Sequence, residues 1–450
     1  MASSGKHGGR PMTKAAWFPF LALATLLTCV IAVLGWFNAR RAATAPALER
    51  ELARARGLGL PMKFAEVWPR QGDPARNAAP IYQKLAKPKV PFAKAGEAAL
   101  GTFAPRTPAE RRALDAALAP VKTDLDEFER GAKLPDCDFG RTPSPFMAFR
   151  EYPMMKRGVK LLASRARKEA AAGDPERAMR TLRSAARVSS QISHEQILLS
   201  KLLQMSFQAI TLRAAQDVLS DHASSPKVRA LAREVLSDLG PAVDMKECLR
   251  GEWAYQRGTF EELGASKITY PQLLRGAGMK SGGKTPAEEA LLKRKMRTQA
   301  GRDELEANAA RIFLDFYEAM PDNAMNVTES RAAVKTLSDA LSKGGAEVGM
   351  ARIVIPPFVL PVDAAARSKT QRVLFEALLD ALDAPTPPKS LPLTEPDAID
   401  PFSGKPYRYE ASAKSIRIWS VGANGKDDGG TNVKGKDIAV LWPYPRPSKP

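Results

Sequence analysis

The residues able to do chemistry are few and scattered. Cys248 stands beside Glu247 and Glu252 in a stretch that reads as mostly polar, and such neighbours oppose thiolate formation. His194 and Glu195 sit at an expected helix start, with no nucleophile or third partner nearby in sequence. Gly282-Gly283-Lys284-Thr285 ends like a phosphate loop but lacks the leading glycine pattern and an apolar strand before it. A helix cap explains it better. No nucleophile elbow, zincin motif or dinucleotide fingerprint stands in the required setting. Glu252 and the Asp427–Asp428 pair are the carboxylates to consider for general acid–base work on an envelope polymer, but their spacing defines no catalytic pair. No catalytic residue is assigned, and whether the chain is an enzyme stays open.

Composition narrows the classes. The 450 residues are 44% hydrophobic and 26% charged, which suits a folded protein with room for two or three domains. Three Cys exclude a disulfide scaffold, and three His disfavour a histidine-rich metal centre. Cys137 and Cys248 are able to pair only if the body lies in an oxidising compartment. The net charge is +19. Residues 1–41 supply five of those positive charges and hold no acid, leaving +14 on the rest. An anionic envelope polymer or an acidic protein is the partner this balance suggests. Nucleic acid is disfavoured, because no zinc-finger spacing, aromatic–basic sheet motif or basic recognition helix is present.

Residues 15–37 (AAWFPFLALATLLTCVIAVLGWF) carry no charge. As a helix they rise about 35 Å, enough to cross a hydrocarbon core of about 30 Å. Trp17 and Trp36 fall near the two ends, where indole prefers the interface. A cleaved signal is the rival reading, with Ala42-Ala43-Thr44-Ala45 as its cleavage region, but the apolar run is too long for that. The expectation is a single-pass anchor in the inner membrane, with the lipid bilayer as its partner. Basic residues flank both sides, and on their count alone the C-terminal side would be cytoplasmic.

The expected organisation is a basic tail (1–14), the transmembrane helix (15–37), a juxtamembrane helical and loop region (42–152), a helical body (153–384), a Pro-rich linker (385–397) and a β module (398–445). The fold class is therefore mainly α, with an N-terminal transmembrane helix, an α-helical hairpin array and a small C-terminal antiparallel β unit. Within the body, helices are expected at about 154–172, 175–191, 194–220 and from 226. The breaks are Gly173, Asp174-Pro175, Ser193 and Ser225-Pro226. Earlier, helices are expected at 77–85 and 108–130. Later ones fall at 285–320, 329–342 and 363–383, and the three prolines of residues 353–361 predict an extended segment. Between Arg150 and Arg187 stand 11 Lys or Arg and four acids, a solvated face or a docking surface for an anionic partner. Two alternating runs, 406–410 and 415–420, and a third run, 437–442 (DIAVLW), predict strands.

Three resemblances follow. GDPERAMRTLRSA looks like one arm of a tetratricopeptide unit, but no 34-residue repeat follows. The last part of the chain resembles the C-terminal region of the major pseudopilins of type II secretion systems. The matching residues are Asp400, Pro401, Phe402, Gly404, Pro406 and Tyr407, then Ser420, Gly422, Ala423, Asn424 and Gly425, then Gly429, Gly430, Asp437 and Ile438. The resemblance implies an extracytoplasmic body and a loop able to hold a structural Ca²⁺, with Ser420, Asn424, Asp427, Asp428 and Asp437 as its candidate residues. Asn424 stands where the family has Asp, and the pseudopilin processing segment is missing from the N-terminus. The whole chain also resembles a group of single-anchor proteins from planctomycete-like bacteria, which brings no activity with it. The expected role is a membrane-anchored extracytoplasmic structural or interaction protein of the cell envelope.

Overall fold

The computed structural model describes residues 32–33, 47–68, 73–87, 105, 107–141, 147–322, 326–431 and 436–444. The basic tail, the anchor apart from residues 32–33, and Cys29 lie outside these. The described chain is mainly helical, with a small antiparallel sheet near its C-terminus. Helix α1 spans 47–57. It is followed by α2 (Ala79–Leu85), α3 (Pro108–Leu118) and α4 (Lys122–Ala132). The hairpin array is α5 (Glu151–Ala171), α6 (Pro175–Ile192), α7 (Leu198–His222) and α8 (Pro226–Asp238).

Local chemistry sets these boundaries. Gly173, at φ +90°, turns the chain out of α5. The Asp174 carboxylate accepts the Arg177 N–H at 2.9 Å, and Pro175 opens α6 with its fixed φ. Ser225 and Pro226 repeat the device for α8. Expectation and structure differ in several places. Pro120 splits the 108–130 helix with a 3₁₀ turn, Ala119–Val121, because it removes an N–H from the helix ladder. The 285–320 helix is two, α11 (Pro286–Met296) and α12 (Gln299–Ala319), and the Thr298 hydroxyl caps the second. Residues 353–361 are not an extended segment: they hold the end of α14 (Gly349–Val354), a short break and the first turn of α15 (Val359–Asp383). Asn326 caps α13 (Val327–Lys343), which begins two residues before the expected 329. Helices α9 (Met245–Gly264) and α10 (Tyr270–Gly276) were not expected from the sequence.

Helices α7 and α15 form a spine. The first part of each packs with α1, α9 and α12 around Trp253, Phe313 and Phe358. Their later parts pack with α5, α6 and α8 around Leu182, Leu219, Leu374 and Leu378. A third cluster joins α2–α6 around Tyr82, Phe128 and Met155. Within Ala346–Asp383 an 18-residue window reaches mean hydropathy 1.5, apolar enough to cross a membrane, but 56% of it is buried inside the body. These residues, α14 and α15, serve here in the core.

The C-terminal unit has a two-stranded ribbon, β1 (Ile399–Asp400) with β2 (Lys405–Pro406), and a sheet ordered β3 (Arg408–Ser412), β4 (Ser415–Ser420), β5 (Ile438–Trp442). Both are antiparallel. Alternation along β4 sends Ile416 and Ile418 into the core shared with α15, α7 and α8. Trp419, on the other face, packs with Ala439, Leu441 and Tyr444. The Gln216 side chain donates to Leu441 O at 2.9 Å, and the Trp442 indole donates to Leu219 O at 3.2 Å. The sheet therefore shares its core with the helical body instead of hanging from the proline-rich segment.

Candidate functional site

The loop expected to hold calcium joins β4 to β5. Its organising residue is Asp400, fully buried on β1. Asp400 accepts from the Ser420 hydroxyl (2.7 Å), the Val421 N–H (3.1 Å), the Phe402 N–H (3.0 Å) and the Ser403 hydroxyl (2.9 Å). Four charge-assisted bonds make a buried carboxylate tolerable and fix the loop's entry. Asp437 fixes the exit. It is buried and accepts the Asp428 N–H (3.0 Å) and the Gly430 N–H (2.7 Å). Asp427 accepts the Trp419 indole N–H (3.0 Å), the Gly429 N–H (3.1 Å) and the Arg408 guanidinium (3.2 Å). The Trp419 bond leads those that hold its carboxyl below the usual range. Asn424 donates to Asp428 at 2.9 Å and accepts the Lys426 N–H at 3.1 Å. Gly422, at φ +63°, passes so close to Lys436 O that an added Cβ would stand 2.4 Å from it.

The five candidate residues thus share one loop but do not converge. Ser420 faces Asp400, Asp427 faces a guanidinium and an indole, and Asp437 faces backbone N–H groups. Calcium needs six to eight oxygens around one centre. Among the described residues no group of three or more His, Cys, Asp or Glu has metal-holding geometry. As arranged, Asp427, Asp428 and Asp437 accept from N–H and guanidinium donors and work as turn-formers.

The carboxylates considered for catalysis are also structural. Glu252 is 8% exposed and accepts the Leu198 N–H at 2.7 Å, so it caps α7 from α9. Burial pushes its carboxyl up to about 7, and the Leu198 bond only partly offsets this. The cap replaces the expected one at Ser193, whose hydroxyl bonds Ser190 O at 2.6 Å. Glu195 is buried beside Tyr152 and Ser200, whose hydroxyls both donate to it. Arg141 lies 3.8 Å from Glu195 and 2.9 Å from Glu151. Its guanidinium stacks 4.4 Å from the Phe139 ring and 4.9 Å from the Phe149 ring. Burial raises the Glu195 carboxyl, against the pull of Tyr152 and Arg141. This pair, caged by aromatic rings, joins the loop before α5 to the start of α7. Sequence reading missed it because Arg141 and Glu195 stand in different segments.

Cys137 and Cys248 are both free and buried. They belong to different core clusters, so the pairing that the sequence left open is not made. Burial pushes both thiols up. Cys248 lies fully inside the core: Glu247 is exposed, while Glu252, one turn on, is buried as well and its charge adds to the rise.

The basic stretch 150–187 is largely matched by acids from other helices. Arg165 meets Asp126 (2.8 Å), Arg183 meets Asp238 (2.7 Å), and the buried Arg167 meets Asp217 (3.1 Å). Arg177 closes on Glu169 (3.0 Å), within its own stretch. A groove of about 400 Å³ runs between these side chains, lined by both signs of charge. No protein-family model, no curated protein and no solved structure matches this chain.

Proposed function

We propose that the chain is a membrane-anchored, extracytoplasmic structural or interaction protein of the cell envelope. The observation that carries this reading is the employment of the polar interior. Glu195, Glu252, Asp400 and Asp437 each spend their oxygens on groups that tie one element to another. Gln191, Gln204 and Gln208 do the same, bonding backbone carbonyls of neighbouring segments. Such groups hold a surface in shape; they are not poised beside a cleft for acid–base work. The uncharged run 15–37 supports the anchor, and the charge excess of the body supports anionic partners.

Carbonate extraction of membranes from cells making the full chain tests the anchor. The chain is expected to stay with the membrane, and a variant lacking residues 15–37 is expected to leave it. Release of the full chain at alkaline pH would refute the reading.

A further inference from the structure

We propose that the basic end of the body formed by residues 265–302 rests on the anionic phosphate headgroups of the bilayer that carries the chain. The inference deepens the anchor reading and rests on it. Residues 265–302 hold nine Lys or Arg and two Glu, a net +7, half of the charge on everything after residue 41. The stretch 150–187 has the same net charge, but helices α4, α7 and α8 answer it with acids. Here fewer cations are answered: Lys293 lies 3.4 Å from Glu289 and Lys295 meets Glu304 at 2.8 Å, and the two acids of the stretch are otherwise engaged by its own backbone and hydroxyls. Glu289 accepts from the Tyr270 and Ser281 hydroxyls and the Gly282 and Gly283 N–H groups. Glu288 accepts the Lys284 N–H at 2.9 Å and faces Arg352. Lys267, Arg275, Lys280, Arg294 and Arg297 are exposed and make no ion pair with any described residue.

Beside these cations lies a groove of about 390 Å³. Leu263, Ile268, Tyr270 and Met296 line it, with Arg297 and Arg302 among its cations and no acid at all. Apolar floor and cationic rim suit an anionic amphiphile.

Placement supplies the second argument. Helix α1 runs antiparallel to α9. Arg250 near the start of α9 donates to Gly59 O at 2.8 Å, and Arg54, late in α1, pairs with Asp315 and Glu318 near the end of α12 at 2.8 Å each. Helix α12 is antiparallel to α9 as well, since Trp253 stacks 5.7 Å from Phe313 and Arg257 bonds Glu306. The start of α1 therefore lies at the end of the body where α9 finishes and α12 begins. Residues 265–302 join those two points. From Phe37 to Ala47 the chain takes ten steps, at most about 36 Å when fully extended. The anchor thus delivers this end of the body to the bilayer surface. A basic group held close to an anionic leaflet strengthens association about fivefold.

The test uses the full chain in nanodiscs of phosphatidylcholine, alone or mixed with phosphatidylglycerol, read by amide hydrogen exchange. Phosphatidylglycerol is expected to slow exchange across 265–302 about fivefold or more, to leave 399–442 unchanged, and to lose its effect in high salt. The variant R275Q/R294Q/R297Q changes only exposed side chains and is expected to abolish the slowing while keeping the unfolding midpoint. Equal exchange in both lipids, with the chain still in the discs, overturns the docking but leaves the anchor standing. A chain that fails to enter discs of either composition overturns the anchor, and the docking with it. Slowing by soluble polyphosphate in phosphatidylcholine discs, without any effect of phosphatidylglycerol, overturns the lipid in favour of an acidic polymer.

Discussion

Glu252 offers a stability measurement whose sign is fixed in advance. Its carboxyl ionises at about 7 in the folded chain against an ordinary 4.5. Below pH 4.5 it is protonated in both states and contributes no pH dependence. Between pH 4.5 and 7 the unfolded chain ionises while the folded chain holds its proton, so stability falls as pH rises. Above pH 7 both are ionised and the loss is complete. At about 1.4 kcal/mol per pH unit, the gap corresponds to about 3 kcal/mol. Glu252→Gln keeps an oxygen for the Leu198 N–H, 2.7 Å away in the native chain, and removes the charge. The variant is expected to match the native protein near pH 4.5 and to exceed it by about 3 kcal/mol at pH 8. Denaturant unfolding of the full chain in detergent, followed by far-UV circular dichroism at each pH, gives the difference. A difference that stays flat from pH 4.5 to 8, or a variant less stable at pH 8, would refute the reasoning. Glu252→Ala separates the two roles: it loses the cap as well, at a cost of about 1 kcal/mol at every pH.

Asp400→Ala leaves the Ser420 and Ser403 hydroxyls and the Val421 and Phe402 N–H groups without their acceptor, and should lower the unfolding free energy by about 3 kcal/mol or more; a loss below about 1 kcal/mol on a urea titration would remove it from its organising place. A Cβ at Gly251 would stand 1.8 Å from Gln196 O, whereas one at Gly258 meets nothing within 4 Å. Gly251→Ala is therefore expected to destabilise by about 3 kcal/mol and Gly258→Ala to be neutral or to stabilise by up to about 1 kcal/mol, and equal effects on urea midpoints would count against this packing. Excess Ca²⁺ should leave the melting temperature of the full chain unchanged, because N–H and guanidinium donors already hold Asp427 and Asp437; a rise that chelator reverses would contradict that geometry.

The helix starts that sequence made legible were those with local chemistry. Thr107, Asp174, Ser225 and Thr285 each precede a proline, and each accepts an N–H three residues on. Period-two alternation likewise placed β4; the expected run 406–410 starts two residues before β3 and overlaps β2, and β5 is a continuous apolar run. Helix α9 was hidden because Gly251 and Gly258 lie inside it. Gly251 is needed for the close approach of the Gln196 carbonyl, a contact no periodicity reveals. Its C-terminus is concealed too: Ser266 takes φ +55° where a glycine would have marked the stop. The cap of α7 comes from Glu252, 54 residues away.

For the candidate loop, the sequence placed the acidic and glycine-rich turn, and three-dimensional structure alone says which donor each carboxylate faces. Asp400 was visible as a motif residue, yet its partners Ser420 and Val421 lie about 20 residues on. The charge excess of 150–187 looked like a surface in one dimension. It is a set of inter-helix ion pairs once Asp126, Asp217 and Asp238 are brought against it. The exposed pairs among these contribute about 0–1 kcal/mol each, so they orient helices more than they stabilise them, whereas the buried Arg167–Asp217 pair offsets the desolvation of its own charges.

The most direct measurement of the proposed role is topology. Protease is added to intact cells, to cells with an opened outer envelope and to lysed cells, all making the full chain with a C-terminal tag. Loss of the tag before the inner membrane is breached is the predicted result. Protection until that membrane is lysed would place the body in the cytoplasm and contradict an envelope protein.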